Sequence, residues 1–289
     1  MSSFSETPHT PHEDDDVDDV EFEAESSTPF LRSVGALIQA LRNQADLTQA
    51  EFGRRIGYGT EMVSKVERGV RIPKPPFIDN AERVLNAHGV LASLKEELDR
   101  ASYAGTQRSI YREEARSTAI HAYDTHVVNA LLQTEPYMRA LFTMQTPPLA
   151  AGTVEERVAA RLDRQKIFHR EPAPPVTSFV MDEALLCRPF GGRDVLRGQL
   201  ERLLELGRLP HVDLQVMPLG QEDNAGIGGP FTLMDTRKQT RIAYIEVQNT
   251  RIHTDRHRIR DLETTYSRIR AQALSPKDTL VFIEKLLKA

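Results

Sequence analysis

The chain has 289 residues and a formal net charge of −5, with 27% charged and 39% hydrophobic residues. This length is sufficient for two domains. The single cysteine, Cys187, excludes an internal disulfide and a cysteine-based zinc site. No apolar run approaches about 18 residues, so we expect no membrane span and a cytoplasmic protein.

The first 30 residues carry most of the acidic excess. They hold ten acidic side chains and no lysine or arginine, whereas residues 31–91 hold nine basic and six acidic side chains. High charge with few apolar residues predicts that residues 1–30 form a disordered acidic tail. Such a tail is usually solubilising; the alternative is that it folds back on the basic region and competes with its anionic ligand.

A capping box predicts the start of a short helix near residue 48. Thr48 is followed three residues later by Glu51, and the two can cap each other's backbone amides. The helix would bury Phe52 and Ile56, which lie four residues apart on one face. Gly53 between them suggests the close approach of another helix.

The next segment predicts a turn and a second helix. Gly57-Tyr58-Gly59 ends the first helix, since glycine tolerates a positive φ. A helix over 60–68 would then bury Val63 and Val66, with Gly69 as its stop. The side chains that face outward or flank the buried face are Thr60, Glu61, Met62, Ser64 and Lys65.

Three more amphipathic helices complete a five-helix, all-α domain over 31–100. Their apolar residues recur at spacings of three and four. They are Val34, Leu37, Ile38 and Leu41 before the capping box, and Phe77, Ala81, Val84, Leu85, Leu91, Leu94 and Leu98 after it.

The segments LTQAEFGRRIG and MVSKVERGVRIP make residues 33–90 resemble the lambda-repressor-like, xenobiotic-response-element family of helix-turn-helix domains. The resemblance implies that the helix from Thr60 reads DNA bases in the major groove. It implies that Gln49 contacts phosphate and steadies the reading helix, and that Glu67 pairs with Arg42. Gly59 departs from the family by replacing a serine cap, a change worth about 0.3 kcal/mol.

Cationic side chains in and near these helices are candidates for phosphate contact, which supplies most nonspecific affinity for DNA. Each of them alone is more often just a solvated charge. With Gln49, they are Arg54, Arg55, Lys65, Arg68, Arg71 and Lys74.

Residues 101–289 predict a second, α+β domain with a mainly antiparallel sheet, so that the whole chain is α+β. Predicted strands cover 118–128, 176–181 and 212–217, and a hairpin joins 231–235 to 241–247. Predicted helices cover 129–144, 154–169, 192–207, 255–273 and 276–287. The order of these elements shows no steady βαβ alternation.

Several blocks of this second half resemble the domain of unknown function carried by WhiJ-like regulators of actinobacteria. They include ALLQTEPYMRAL, MDEALLCRPFGG, VDLQVMPLG and GGPFTLMD, and the resemblance spans 105–287. It implies transcription regulation and a small partner protein encoded nearby, in an antitoxin-like pairing. It supplies no ligand, cofactor or catalytic residue. Asn129-Ala130 stands where the family usually has proline-glycine, and the family's early tryptophan is missing.

Two segments resemble ligand sites only weakly. His253 and His257 have the spacing of metal ligands on a helix, but neighbouring arginines oppose a cation. The loop Gly226–Pro230 is rich in glycine, but a strand follows it, so helix amides for phosphate are missing. We expect a turn or a mobile lid there and no metal.

Two further groups are candidates for catalysis. Asp182-Glu183 could be an acid pair, although helix capping by Asp182 is the better account. Cys187 could be a nucleophile, although most lone cysteines are packing residues. Since no motif joins a nucleophile to a base, we expect no enzyme.

A seam in the penultimate helix has coiled-coil spacing. Ile259, Leu262, Tyr266, Ile269 and Ala273 are separated by three and four residues in turn. Only two heptads are present, so a dimer seam and a core face remain equally open.

The sequence thus predicts a homodimeric, nucleoid-associated regulator that binds a palindromic operator in double-stranded DNA, because helix-turn-helix proteins bind paired half-sites. Its second domain would sense a small partner protein or ligand. The alternatives are an antitoxin-like adaptor that acts mainly through its partner, and an enzyme with a DNA-targeting head.

Overall fold

The computed structural model describes residues 28–236, 240–245, 251–253 and 255–288, with the backbone alone at 102–104, 106 and 251–253. The acidic run of the predicted tail lies outside these residues. The first helix, α1, spans Pro29–Gln44 and is capped by the Thr28 side chain. It therefore begins two residues inside the segment predicted as tail, because Pro29 at the first helical position is compatible with a helix start.

The N-terminal region is all-α, as predicted. After α1 come α2 (Gln49–Ile56), α3 (Thr60–Glu67), α4 (Pro75–Leu85), a 3-10 turn at Ala92–Leu94 and α5 (Lys95–Arg116). Their apolar faces enclose one core, whose buried members include Ile38, Phe52, Val63, Phe77 and Leu91.

The boundary predicted between residues 100 and 101 lies inside α5. This helix contributes Leu98 to the N-terminal core and Ile110 to a separate core in the second domain. The composition changes near residue 101, but nothing there breaks a helix, and the first extended residue is Ser117 at its C-terminal end. The two domains are thus joined by a continuous helix.

The second domain combines a sheet with helices, as predicted. Its strands are β1 (Ala119–Asp124), β2 (Val176–Asp182), β3 (Val212–Met217), β4 (Phe231–Asp235), β5 (Arg241–Ile245) and β6 (Arg251–His253). Its helices are α6 (Glu135–Thr143), α7 (Ala151–Arg164), α8 (Glu183–Cys187), α9 (Arg193–Leu206), α10 (Arg256–Gln272) and α11 (Pro276–Lys288), with a 3-10 turn after α7.

The described strands form one six-stranded sheet in the order β3-β2-β1-β4-β5-β6. Three of the five pairings are antiparallel, including the predicted hairpin of β4 and β5. The other two are parallel: Ala119 pairs with Val176 and Thr177 with Val212. Helical connections join these parallel strands, so part of the domain has the βαβ organisation that the sequence did not predict.

Different helices cover the two faces of the sheet. On one face α9 and α11 enclose a core that includes Phe179, Leu203 and Ile283. On the other face α10 packs against β3, β4 and β5. Alternate strand residues point to opposite faces, so Ile120 enters the first core and Tyr123 the second.

The predicted seam of α10 is a core face. Ile259, Leu262, Tyr266 and Ile269 are all buried against the sheet, and the hydroxyl of Tyr266 donates to the carbonyl oxygen of Ser178 over 2.7 Å. The seam cannot also face a second copy of the chain. The core-face alternative therefore describes these residues. The spacing could not decide between the two alternatives, because three- and four-residue spacing marks any buried helix face.

The stretch 129–144 is helical only from Glu135. Before that, the side chain of Asn129 accepts from the backbone amide of Leu131 and donates to Asp124. This local turn, formed where the resembling family has proline-glycine, ends β1 at Asp124 and replaces the predicted first turns of helix.

Candidate nucleic-acid interface

The start of α2 has the predicted capping box. The amide of Glu51 donates to Oγ1 of Thr48 over 3.2 Å, and the amide of Thr48 donates to the Glu51 carboxylate over 2.9 Å. The Thr48 hydroxyl also bonds to this carboxylate, and these contacts lower the pKa of Glu51. A negative charge at this position is favourable for the helix dipole.

The turn between α2 and α3 is fixed from both sides. Gly57 has φ = 81°, a left-handed conformation that favours glycine. The Tyr58 ring packs on Phe77 of α4 with ring centroids 5.0 Å apart. A Cβ on Gly53 would lie 2.5 Å from the carbonyl oxygen of Tyr58. Gly53 is therefore needed for the turn itself. Helix α3 also approaches it, as the sequence suggested, because the same Cβ would lie 3.4 Å from Cγ2 of Val63.

A side chain of α4 that the sequence analysis missed also supports this turn. Nδ2 of Asn80 donates to the carbonyl oxygen of Ile56 over 3.0 Å, which satisfies a backbone group at the end of α2. The only sequence signal is a polar residue beside the buried Phe77 and Ala81, and this signal is weak.

Helix α3 is anchored by its apolar side and begins without a side-chain cap. Val63 and Val66 are 0% and 1% exposed, so the opposite side of the helix must face outward. Gly59 is the N-cap residue and makes no side-chain hydrogen bond. The weak cap predicted from the missing serine is therefore present.

A buried polar network holds the C-terminal end of α3. The Glu67 carboxylate accepts hydrogen bonds from Nε and Nη2 of Arg42, over 2.5 and 3.0 Å, and from Nε2 of Gln49 over 2.7 Å. Arg42 also donates to the carbonyl oxygen of Leu47. Hydrogen bonding to Glu67 raises the pKa of Arg42 above its usual value. The network connects α1, the start of α2 and the end of α3.

Gln49 therefore contacts Glu67 through its side-chain nitrogen. The resemblance implied two roles for this residue, a phosphate contact and support of the reading helix, and this hydrogen bond agrees with the second. In the structure its amide group connects the first turn of α2 to α3, so its clearest role is to position α3. The 18 residues that separate Gln49 from Glu67 explain why spacing alone gave no sign of this contact.

Close backbone contacts bring α1 against the end of α3. A Cβ on Gly35 would lie 2.3 Å from the carbonyl oxygen of Glu67. Gly69, with φ = 67°, also lies close to α1, because a Cβ added to it would be 2.7 Å from the amide nitrogen of Arg32. Larger residues at positions 35 or 69 would separate the helices.

The outward side of α3 contains four of the five predicted base-contact residues. Thr60 and Glu61 are exposed, and Ser64 is partly exposed. Lys65 pairs with Glu61 across one helical turn at 3.1 Å, and its side chain is 20% exposed. Met62 instead packs on the edge of the core, because its position lies between the outward and inward sides of the helix.

The predicted phosphate contacts are cations on or next to these helices. Arg54 and Arg55 on α2, Arg68 at the end of α3 and Lys74 before α4 are exposed, and Arg71 is partly exposed. They give the helix-turn-helix region several cationic groups that an anionic backbone could contact.

Neither weak ligand-site resemblance is supported by the described residues. His253 lies in β6 and His257 in α10, so they do not share a helix face, and no described group of three or more acidic, histidine or cysteine residues could hold a metal. The Gly226 loop is a turn, as predicted. The backbone amide of Ala225 donates to the side chain of Gln272, and that of Gly226 donates to the side chain of Asn224. These two amides therefore already have partners within the fold.

Of the two catalytic candidates, the Asp182-Glu183 pair has a structural role, and the thiol of Cys187 has a pKa that is unfavourable for a nucleophile. The Asp182 side chain caps α8 by accepting from the amide of Ala184 over 3.0 Å, as the capping interpretation predicted. Cys187 is exposed, so it is not a packing residue. Desolvation and the nearby Glu183 raise the pKa of its thiol, which disfavours the reactive thiolate.

Within the described part of the chain, no helix combines the length and apolar character that a bilayer span requires.

No curated protein and no solved structure matches the chain. Two family models do. One, described as a helix-turn-helix domain, matches residues 33–97; the other, described as a domain of unknown function (DUF5753), matches residues 107–285, more than half of the chain. The chain therefore belongs to the DUF5753 family and carries a helix-turn-helix domain before its DUF5753 region.

Proposed function

We propose that this protein is a sequence-specific, DNA-binding transcription regulator of the xenobiotic-response-element type. One observation carries the proposal: α3 is held from behind by buried Val63, Val66 and Glu67, and its opposite side presents Thr60, Glu61 and Ser64. A rigid helix with outward polar side chains can enter the major groove and contact base edges.

The expected contacts fall into two classes. Glu61 can accept a hydrogen bond from cytosine N4, and Met62, through its exposed part, can touch a thymine methyl group. Arg54, Arg55 and Arg68 are placed to contact phosphates, which gives affinity without sequence preference. The side-chain nitrogen of Gln49 supports this arrangement by holding α2 against Glu67.

We assign the second domain a regulatory role through a small partner protein or ligand, as in WhiJ-like regulators. The loop between β3 and β4 supports a protein partner, because Ile227 and Leu219 are 94% and 64% exposed. Exposed apolar side chains on one loop are a common feature of protein-binding surfaces. The raised pKa of Cys187 disfavours covalent catalysis by this thiol.

We also propose that the protein is a cytoplasmic homodimer on a palindromic operator. Since the predicted seam of α10 is part of the core, the dimer contact would use another surface. Sedimentation at micromolar concentration, with and without operator, tests this proposal: a monomer under both conditions would contradict it.

The decisive experiment is genome-wide capture of DNA fragments by the purified full-length protein. We expect enrichment of a shared, paired half-site, and loss of that preference in a Glu61→Ala, Ser64→Ala double variant. Arg193→Ala, at an exposed position of α9, is the control variant and should leave the enriched sequence unchanged. If the native protein prefers no duplex over scrambled competitor at moderate salt, the proposal is wrong.

A further inference from the structure

We propose that residues 1–27 form an intramolecular acidic competitor that occupies the cationic surface of α2 and α3 and weakens DNA binding at low salt. This inference rests on the proposed function, because it assigns regulation to the same surface. It goes beyond that function by naming the occupant of the surface in the absence of DNA.

The first argument is charge complementarity. The segment contains ten acidic side chains and no lysine or arginine, and five of its aspartates lie between positions 14 and 19. The surface next to it presents Arg54, Arg55, Arg68 and Lys74 as exposed cations. A dense line of carboxylates offers these cations the same partner chemistry as a line of phosphates, and such attraction requires no fixed geometry.

The second argument is where the segment joins the domain. Thr28 caps α1, and the first turn of α1 lies against the residue that follows α3. A Cβ on Gly69 would be 2.7 Å from the amide nitrogen of Arg32 and 2.8 Å from the carbonyl carbon of Leu31. The chain therefore enters the domain next to Arg68, at the C-terminal end of α3.

The third argument is reach. Glu25 is three residues from Thr28, and Glu13 is fifteen residues away. At about 3.3 Å per extended residue, these carboxylates can lie up to roughly 10 and 50 Å from the attachment point. The eight residues of α3 span only about 12 Å. The acidic run can therefore contact any exposed cation of this surface from its own attachment site.

The expected size of the effect follows from tethering. Covalent attachment over so short a distance gives an effective concentration on the order of 1 mM, and a purely electrostatic contact has a dissociation constant on the order of 0.1 mM. Their ratio is about ten, so occupation by the acidic segment should weaken DNA binding roughly tenfold at low salt. Salt screens both contacts, and the difference should shrink as salt rises.

The experiment compares full-length chains, so that the fold is kept. In the test variant the five aspartates become asparagine: Asp14→Asn, Asp15→Asn, Asp16→Asn, Asp18→Asn and Asp19→Asn. A control chain keeps the composition of residues 1–27 in a shuffled order. Affinity for a random-sequence duplex is measured by fluorescence anisotropy at about 50 and 300 mM salt.

We expect the neutralised chain, which keeps the five glutamates of the segment, to bind several-fold and at most about tenfold more tightly than the native chain at the lower salt concentration. The shuffled chain should bind like the native one. The difference should be less than about threefold at the higher concentration. Equal affinity of native and neutralised chains at low salt would overturn the inference while leaving DNA binding intact. Relief by shuffling would also overturn it, since the effect would then depend on sequence.

A second measurement does not depend on DNA. A labelled peptide of residues 1–27 is titrated with the neutralised full-length protein, and with the same protein carrying Arg54→Ala and Arg68→Ala. Arg193→Ala with Arg208→Ala, two exposed cations of the second domain, is the matched control. If only the protein with Arg54→Ala and Arg68→Ala binds the peptide more weakly, the inference is supported. This result would stand even if no chain binds DNA, and the absence of DNA binding would then refute the proposed function alone. Equal binding by all three proteins refutes the inference.

Discussion

Replacing Glu67 by glutamine tests whether the buried network determines the position of α3. The native carboxylate accepts three hydrogen bonds, two from Arg42 and one from Gln49. A glutamine of the same shape has no charge, and one of its two terminal groups is a donor that would face other donors. The side chains of Arg42 and Glu67 are only 8% and 2% exposed, so the guanidinium would remain buried without its counter-ion.

Removing one partner of a buried ion pair costs about 3–5 kcal/mol. In a domain of this size, each kcal/mol lowers Tm by about 4–8 °C. We therefore expect Glu67→Gln to lower the melting transition of the helix-turn-helix domain by more than about 10 °C. Circular dichroism of the full-length chain measures the melt, and hydrogen exchange of the α1–α4 amides assigns the transition to this domain.

Two variants control for the loss of a carboxylate. Glu61→Gln removes one from the same helix, where the side chain is 83% exposed; an exposed pair of this kind contributes about 0.3–0.5 kcal/mol. Adding Arg42→Met to Glu67→Gln removes the stranded cation and should recover part of the loss. If Glu67→Gln costs no more than Glu61→Gln, the network does not hold α3 and the reasoning is refuted.

Three shorter predictions concern the other parts of the chain. Glu61→Ala should relax sequence preference at one operator position, whereas Arg54→Ala should weaken all duplexes alike and reduce the salt slope by about one, as measured by anisotropy. Leu262→Ala should destabilise the second domain by about 2–5 kcal/mol in thermal melts and leave its sedimentation unchanged, because this side chain is in the core. Burial, and then the charge of Arg241, lower the pKa of His121 in the folded protein. The stability that the neutral imidazole contributes is therefore fully present above the ordinary histidine pKa of about 6.5, and it should be lost as the pH falls through the lowered pKa of the folded state. His121→Gln should flatten this pH profile and the exposed His257→Gln should not.

The helix-turn-helix region could be predicted closely because its signals are local. Thr48 and Glu51 form a capping box within one helical turn, and Gly57 supplies the left-handed residue that ends α2. Val63 and Val66 identify the buried side of α3 by their spacing alone. Each of these features depends on residues fewer than five positions apart, which is the range over which sequence patterns act directly.

The arrangement of the sheet could not be predicted in the same way. Periodicity located β3 at its observed bounds, but the parallel pairing of β1 with β2 joins residues more than fifty positions apart. Such pairing depends on how the connecting helices pack over the sheet, which no local pattern records. The short β6 was missed for a related reason: its three residues gain their strand conformation from pairing with β5.

The candidate site shows the same limit at the level of single residues. The outward positions of α3 followed from its helical period. The partial burial of Met62 and the contact between Gln49 and Glu67 required knowledge of neighbouring helices. In α10 the period correctly marked a buried face, but it could not distinguish a core from a dimer contact, because both require the same apolar spacing.

Helix α5 links the two domains, and Gly105 lies near its middle, between Leu98 in one core and Ile110 in the other. A Cβ at Gly105 would make only an ordinary contact, 3.9 Å from Cδ1 of Ile72. Gly105→Ala should therefore stabilise the continuous helix by about 0.5–1 kcal/mol and slow hydrogen exchange over 100–110. Gly35→Ala is the contrasting variant and should destabilise its helix. Its Cβ would lie 2.3 Å from the carbonyl oxygen of Glu67 and should force α1 away from α3. Faster exchange in Gly105→Ala would mean that α5 is interrupted at this position in solution, and a signal from the second domain would then need another route to α3.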